Sequence, residues 1–325
     1  SCSALQSVTI GNNVTSIGDS AFQSCSALQS VTIGDSVTSI GNAAFYQCSA
    51  LQSIIIPDSV TSIGNHAFRS CTSLQSVTFN ETSKVTSIGY ATFYQCSALK
   101  SVTIPDSVTS IGDFAFQDCI ALQSVTIGDS VKSIGLGAFW GCSALQSVII
   151  PNSVTNIVGS AFYKCSALQS VTIGDNVETI GDYTFTFCNS LTSIIINNNS
   201  NYSFDETDTT NKVLIENNTT LHTYLATNTA TSYTIPNSIT TIGNGAFEAA
   251  NTDDFPTEGV KLISIIIPNS VTSIGYYAFY NCNNLTSIVI PNSVKSIGHH
   301  AFISCSALQS VTIGDNVETI GGFAF

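Results

Sequence analysis

The chain has 325 residues, with 8 Lys and Arg against 21 Asp and Glu and a formal net charge of −13. Phosphate binding needs clustered Lys and Arg, whereas the basic residues here are scattered singly from Arg69 to Lys295, so nucleic acid is not an expected partner. The longest apolar runs, such as Ile194-Ile195-Ile196, are strand-sized and far below the roughly 20 residues of a membrane span, so no transmembrane segment is expected.

Phenylalanine marks one position of a repeated 23-residue phrase at Phe22, Phe45, Phe68, Phe93, Phe116, Phe139, Phe162 and Phe185, and again at Phe247, Phe279, Phe302 and Phe325. A period of this length means that each unit is too small to bury its own apolar face, so a core exists only where units stack. The fold expected is a repeat solenoid.

The first complete unit runs from Cys2 to Gln23, with apolar residues at Leu5, Val8, Ile10, Val14, Ile17, Ala21 and Phe22. The spacing of Leu5, Val8 and Ile10 predicts a short strand entered by a turn, with Ser7 and Thr9 pointing away from the core. Gly11-Asn12-Asn13, Gly34-Asp35-Ser36 and Pro57-Asp58-Ser59 are turns, since Gly or Pro sets the backbone and Asx side chains close local hydrogen bonds. Val14 to Ile17 predicts a second short extended segment ended by Gly18, and the stretch through Ala21 and Phe22 suits a single helical turn on the outer edge. Coils of this kind stack as parallel strands about 4.8 Å apart, which makes each core position a ladder of one residue type.

Further along, Asn80-Glu81-Thr82-Ser83-Lys84 lengthens one unit by a loop, and Ile157-Val158-Gly159 displaces the usual glycine, which a local bulge would absorb. Residues 1–196 form the first repeat block, 197–233 an irregular insert and 234–325 a second block continuing the same solenoid. Within the insert, Lys212-Val213-Leu214-Ile215 and Leu221-His222-Thr223-Tyr224-Leu225 flank Glu216-Asn217-Asn218-Thr219-Thr220, a β-hairpin pattern. The phrase resumes at Ile235-Pro236-Asn237 and is stretched again between Glu248 and Val260. Cys165 to Gly181 is identical to Cys305 to Gly321, the mark of a duplication or super-repeat. Both ends fall within repeats, so the expectation is either further repeats beyond them or end-to-end stacking of molecules, because a bare sheet edge and core would otherwise be exposed.

The phrase L-x-S-[VI]-x-I-[PG]-[DN]-S-V-T-S-I-G-x-x-A-F-x-x-C, most complete from Leu51 to Gly64, resembles the BspA-like class of leucine-rich repeats. The resemblance covers essentially the whole chain. It implies a right-handed solenoid with a parallel sheet on the concave side, in surface or secreted proteins of bacteria and some protists, often linked with adhesion to host proteins, matrix or other cells. It implies no catalytic residues and no cofactor.

The cysteines, from Cys2 and Cys25 to Cys305, repeat at one core position. Their side chains would run parallel from coil to coil, a poor direction for disulfides, so they are expected as buried free thiols acting as small hydrophobes. No C-x-x-C or His pair supplies a second metal ligand. A row of Asp35, Asp58, Asp106, Asp129, Asp175 and Asp315 alternates with Asn12, Asn152, Asn237, Asn269 and Asn292. That free exchange favours turn chemistry over calcium, which wants six to eight oxygen ligands. His66, His222, His299 and His300 have no repeated partner, and no G-x-S-x-G elbow occurs, so no enzyme is expected.

An outward row of Ser and Thr supplies the candidate interaction face: Ser30, Thr32, Ser53, Ile55, Ser76, Thr78, Ser101, Thr103, Ser124 and Thr126. The sequons at Asn80, Asn198, Asn201, Asn217 and Asn218 are candidate glycosylation sites, since they lie on the extra loops. The leading expectation is a non-enzymatic extracellular or cell-surface protein that binds a protein, matrix or cell-surface ligand through this face, with the 197–233 insert as its most distinctive epitope. Two other readings stay open. One is a filament or coat building block that self-associates through its ends or through aromatics such as Trp140, Tyr276 and Tyr277; the other is ice binding by the hydroxyl array.

Overall fold

The protein is described by a computed structural model over residues 2–205, 213–248 and 260–325. Lys212, Ser1 and the stretched segment at 249–259 lie outside the described residues. Two compact units are formed, residues 1–184 and 185–325.

In the first unit every coil contributes two short strands. The longer ones start at the repeated Ser and present it outward, as in Ser7–Thr9, Ser30–Thr32, Ser53–Ile56, Ser76–Phe79 and Ser101–Thr103. The shorter ones, such as Ser16–Ile17, Ser39–Ile40 and Ser110–Ile111, precede the glycine. Like residues pair in parallel from coil to coil: Val8 lies opposite Val31, Val102 opposite Val125, and Ile111 opposite Ile134. Alternation does the sorting here, since in Ser53–Ile56 the residues run exposed, buried, exposed, buried.

The core is the sum of these ladders. Phe45, Phe68, Phe93, Phe116, Phe139 and Phe162 are fully buried. Their rings stack nearly parallel, with centroids 5.3 Å apart for Phe116 and Phe139 and the same for Phe139 and Phe162. Leu, Val, Ile and Ala positions complete the interior around them, as with Leu99, Val108, Ile111 and Ala115.

Two expectations about local backbone are corrected. The segment expected as a single helical turn is a succession of β-turns instead: Ala21 N–H donates to Gly18 O, Gln23 N–H to Ser20 O and Cys25 N–H to Phe22 O. Ser20 and Ser24 have φ of 55° and 57°, as the third residue of a type II turn requires, and these left-handed residues stop a helical turn from continuing. Alternate N–H groups reach the neighbouring coil, as Ser20 to Asn42 O and Phe22 to Ala44 O, both within 2.8 Å, so this side is laddered too. The second correction concerns Val158. No bulge forms there; Ile134 pairs with Ile157 and Ile157 with Ile180 in unbroken register. Val158 N–H donates to Ile134 O at 2.9 Å, as Gly135 N–H does to Ile111 O at 2.8 Å, so Val158 occupies the glycine position.

In the second unit the insert supplies a coil of its own. Val213–Glu216 and Thr220–Tyr224 pair antiparallel across Asn217 and Asn218, both with positive φ, as a type I′ hairpin turn demands. A third strand, Tyr202–Phe204, which the sequence pattern did not signal, pairs antiparallel with Val213–Glu216. Thr220–Tyr224 then pairs in parallel with Thr241–Ile242, and the ladder proceeds through Ser273–Ile274 and Ser296–Ile297. Val213, Ile215, Leu221 and Tyr224 join the same apolar core as Phe247, Phe279 and Phe302, so the hairpin is part of the solenoid wall.

Candidate interaction face

The parallel register brings together the predicted face residues from Ser53 to Thr126, whereas Ser30 and Thr32 lie on a strand that pairs with Ser7–Thr9 and not with Ser53–Ile56. Ser53 lies opposite Ser76 and Ile55 opposite Thr78, Ser101 opposite Ser124 and Thr103 opposite Thr126, and Ser76 opposite Ser101. Ser30, Thr32, Ser53, Ser76, Thr78, Ser101, Thr103, Ser124 and Thr126 are all exposed. The same row continues to Ile149, and the two isoleucines on it are 62% and 68% exposed at Ile55 and Ile149. A field of short hydroxyl side chains is therefore studded with projecting aliphatic groups.

The Asx row is a hydrogen-bond ladder. Asn12 Oδ1 accepts the Asp35 N–H at 3.2 Å, Asp106 Oδ1 the Asp129 N–H at 2.8 Å and Asn152 Oδ1 the Asp175 N–H at 2.8 Å. In each case the accepted N–H follows a glycine, at Gly34, Gly128 and Gly174. Glycine is needed for this approach, because a Cβ at Gly34 would stand 2.8 Å from both Asn12 Oδ1 and Ile10 O, and one at Gly128 2.6 Å from Pro105 O. The oxygens are thus committed to neighbouring backbone, which is turn chemistry.

At the coils of Pro57 and Pro151 this closure is broken, a feature that sequence reasoning passed over; proline alone is not enough, since Ile235 N–H still donates to Ile266 O at 3.0 Å on entering the coil of Pro268. Ile10 N–H donates to Thr32 O at 2.8 Å and Ile104 N–H to Thr126 O at 2.9 Å. The corresponding bonds from Ile33 to Ile55 and from Ile127 to Ile149, each entering a proline coil, are not formed. Pairing of Ser124–Thr126 with the next strand shrinks to Ser124 and Ser147 alone. A cleft of ≈ 590 Å³ opens at the first step, between Thr32 and Asp35 on one side and Ile55, Pro57 and Asp58 on the other. Its counterpart of ≈ 580 Å³ lies between Thr126 and Asp129 on one side and Ile149, Pro151 and Ser153 on the other.

The cysteine row faces inward. Cys48, Cys71, Cys96, Cys119, Cys142 and Cys165 are fully buried, and each thiol donates to the carbonyl of a phenylalanine in the preceding coil, as Cys96 Sγ to Phe68 O at 3.2 Å. Burial pushes the Cys48 thiol up to about 12, with the neighbouring Cys25 adding to the shift, and it raises Cys71, Cys96, Cys119 and Cys142 as well. A thiol held neutral is a poor nucleophile and a poor metal ligand.

The aromatics considered for lateral assembly pack against rings of the neighbouring coil. Trp140 packs against Tyr163 with centroids 4.7 Å apart, Tyr276 stacks on His299 at 5.4 Å and Tyr277 on His300 at 4.7 Å. Arg69 lies over the rings of Tyr46 and Tyr94. Of the candidate glycosylation sites, Asn80, Asn198, Asn217 and Asn218 are exposed and Asn201 is half-buried. Among the described residues, no helix is long and apolar enough to cross a membrane.

These ladders define a leucine-rich-repeat solenoid with parallel strands. The model of the BspA-type leucine-rich repeat region matches residues 1–122, 109–230, 200–260 and 254–325, and the chain belongs to that family. A leucine-rich cell surface protein from Faecalibacterium prausnitzii A2-165 is similar at 29% identity, over 95% of this chain and 87% of that one, with a TM-score of 0.62. A leucine-rich repeat protein from Bacteroides ovatus ATCC 8483 is similar at 26% identity, over 98% of this chain and 76% of that one, with a TM-score of 0.58. The pneumococcal vaccine antigen PcpA shares the fold, at 20% identity over 98% of this chain and 75% of that one, with a TM-score of 0.59. No curated protein matches the chain.

Proposed function

We propose that the chain is a non-enzymatic binding module of the cell surface or extracellular space, which adheres to a protein ligand through the Ser/Thr/Ile sheet face. The observation that carries this reading is the face itself: hydroxyls repeat at the strand spacing while Ile55 and Ile149 project 62% and 68% exposed from it. Aliphatic groups on a hydrogen-bonding field suit a protein surface, whose own anchors are apolar within a polar rim. They disfavour ordered water, which would want the Thr row unbroken. Membership in the family, together with the cell-surface relative, supports the compartment.

Beads coated with the chain, allowed to settle on extracellular-matrix proteins and on cell monolayers, test the reading. Adhesion that the soluble chain competes away is the expected result. Coated beads that bind no better than beads carrying an unrelated solenoid would overturn it.

A further inference from the structure

The two clefts are equivalent in construction. Each lies where a glycine coil, at Gly34 or Gly128, is followed by a proline coil, at Pro57 or Pro151. Each has an exposed carboxylate on one side, Asp35 or Asp129, and an exposed isoleucine, Ile55 or Ile149, on the other. They differ in the buried oxygen that has no partner among the described residues: in the first it is Asp58 Oδ1, whose companion Oδ2 takes the Thr82 hydroxyl at 2.5 Å and whose place Asn152 takes in the second; in the second it is Ser153 Oγ, whose counterpart Ser59 Oγ donates to Val37 O at 2.6 Å.

Asp58 is orphaned for a traceable reason. At Asn12, Asp106 and Asn152 this oxygen accepts an N–H from the next coil, but after Asp58 the next coil carries the extended loop Asn80 to Lys84. The clefts are lined as well by Ile33 and Ile127, whose backbone N–H groups lack the carbonyl that their counterparts Ile10 and Ile104 find. Each cleft therefore offers donors to a carbonyl, an apolar wall of Ile and Pro, and a carboxylate beyond it.

We propose that residues 1–184 carry two equivalent subsites for an extended basic polypeptide, each taking one Lys or Arg side chain. The alkyl stem lies along Ile55 and Pro57, or Ile149 and Pro151, and the cationic head meets the exposed carboxylate of Asp35 or Asp129. Long cationic side chains bury their stems on apolar surface while the charge stays at a polar rim. The net charge of −13 favours a basic partner, and a peptide backbone supplies the carbonyls for Ile33 and Ile127. The inference deepens the protein-binding reading of the same face and rests on it.

Geometry fixes the spacing of the two cations. Ser30 and Ser124 are four coils apart, through Ser53, Ser76 and Ser101, or about 19 Å at the strand spacing. An extended chain rises about 3.3 Å per residue and returns its side chains to one face every second residue. Six residues span about 20 Å and place both cations on the same side. Five residues place them on opposite sides.

Fluorescence anisotropy with labelled, otherwise neutral Ser/Gly/Thr peptides tests this on the full chain. A peptide with Lys at i and i+6 is expected to bind at least about tenfold tighter than peptides with a single Lys or with Lys at i and i+5, with the advantage fading as salt rises. Pro57→Gly or Pro151→Gly, which restores the residue that closes other coils, should abolish the i+6 advantage while the protein stays folded, with only a small drop in thermal midpoint from the freer unfolded chain. Asp35→Asn and Asp129→Asn together should do the same with the backbone untouched. Equal binding of the i+5 and i+6 peptides, or an advantage that survives these substitutions, overturns the inference. If peptides fail while bead adhesion persists, the clefts are wrong and the face stands; if adhesion itself fails, the face reading fails first.

Discussion

The thiol of Cys71 donates to the carbonyl of Phe45, with Sγ 3.2 Å from the oxygen, and the same oxygen accepts the Cys48 N–H at 3.1 Å. Both lone pairs of a buried carbonyl are thereby used, one within its coil and one by the next. This explains why a residue so small and only weakly polar recurs at this position. A bulkier donor would force the coils apart, and an apolar one would leave half the carbonyl unanswered.

Cys71→Ala should therefore destabilise the first unit by about 1–2 kcal/mol, from the lost sulfur volume and the lost weak bond. Urea denaturation followed by circular dichroism reads this as a lower midpoint at unchanged slope.

Alkali should unfold the protein before mild acid does. The Cys48 thiol ionises at about 12 in the folded state against 9.0 for the ordinary group, so folding favours its neutral form. That contribution is complete below pH 9 and fades as the pH climbs toward 12, by about 1.4 kcal/mol per pH unit for each such thiol. Melting curves from pH 7 to 11 check the sign. In the native protein at pH 8 the buried thiols should resist alkylation and react only after denaturation.

Phe116 stacks on Phe93 and Phe139 at 5.3 Å on either side. Phe116→Ala removes contacts from three coils at once and should cost about 3–5 kcal/mol. In a solenoid such a loss falls on one nearest-neighbour interface, so hydrogen exchange should loosen the coils around Phe116 ahead of the coils near Cys25.

At the hairpin, Asn217 and Asn218 hold φ of 50° and 57°, and Asn218 Oδ1 accepts the Ser203 hydroxyl at 3.2 Å. Asn218→Ala places a less tolerant residue in the left-handed region and deletes that bond, for a cost of about 1–2 kcal/mol. Thermal unfolding of the second unit is the readout, and Asn218→Gly should cost less than the alanine variant.

Much of this architecture is legible in the sequence because stacking multiplies weak signals. One Ser-Val-Thr could be anything, but the phrase recurring at the spacing of Phe22, Phe45 and Phe68 makes each apolar position a ladder. What was misread follows from neighbours that a linear phrase does not show. Ala21 and Phe22 look helical by spacing, yet Ser20 and Ser24 adopt left-handed φ because alternate N–H groups bond to the next coil. Val158 looks like an insertion, yet the coil keeps its length and pairing. The strand Tyr202–Phe204 is too short and too polar in its surroundings to stand out before its antiparallel partner is known.

The face was legible as a row, since Ser and Thr alternate with buried Val and Ile along each strand. Its relief was not. Pro57 and Pro151 read as turn residues, equivalent to the glycines at the same place. Only the close approach at Gly34 and Gly128 shows how little room this position leaves, and only the missing bonds from Ile33 and Ile127 show that the wall opens at Pro57 and Pro151.

The most direct test of the account compares two pairs of substitutions in the adhesion assay. Ile55→Glu with Ile149→Glu alters the sheet face, while Gln47→Glu with Gln95→Glu adds the same charge to exposed residues of the turn side. All four positions are solvent-facing, so both proteins should fold with unchanged melting temperatures. The account predicts that the isoleucine pair loses at least about tenfold in ligand binding, as when central anchors are removed, while the glutamine pair binds as the parent does. Equal losses in the two, or full binding by the isoleucine pair, would contradict the claim that the Ser/Thr/Ile sheet is the face that binds.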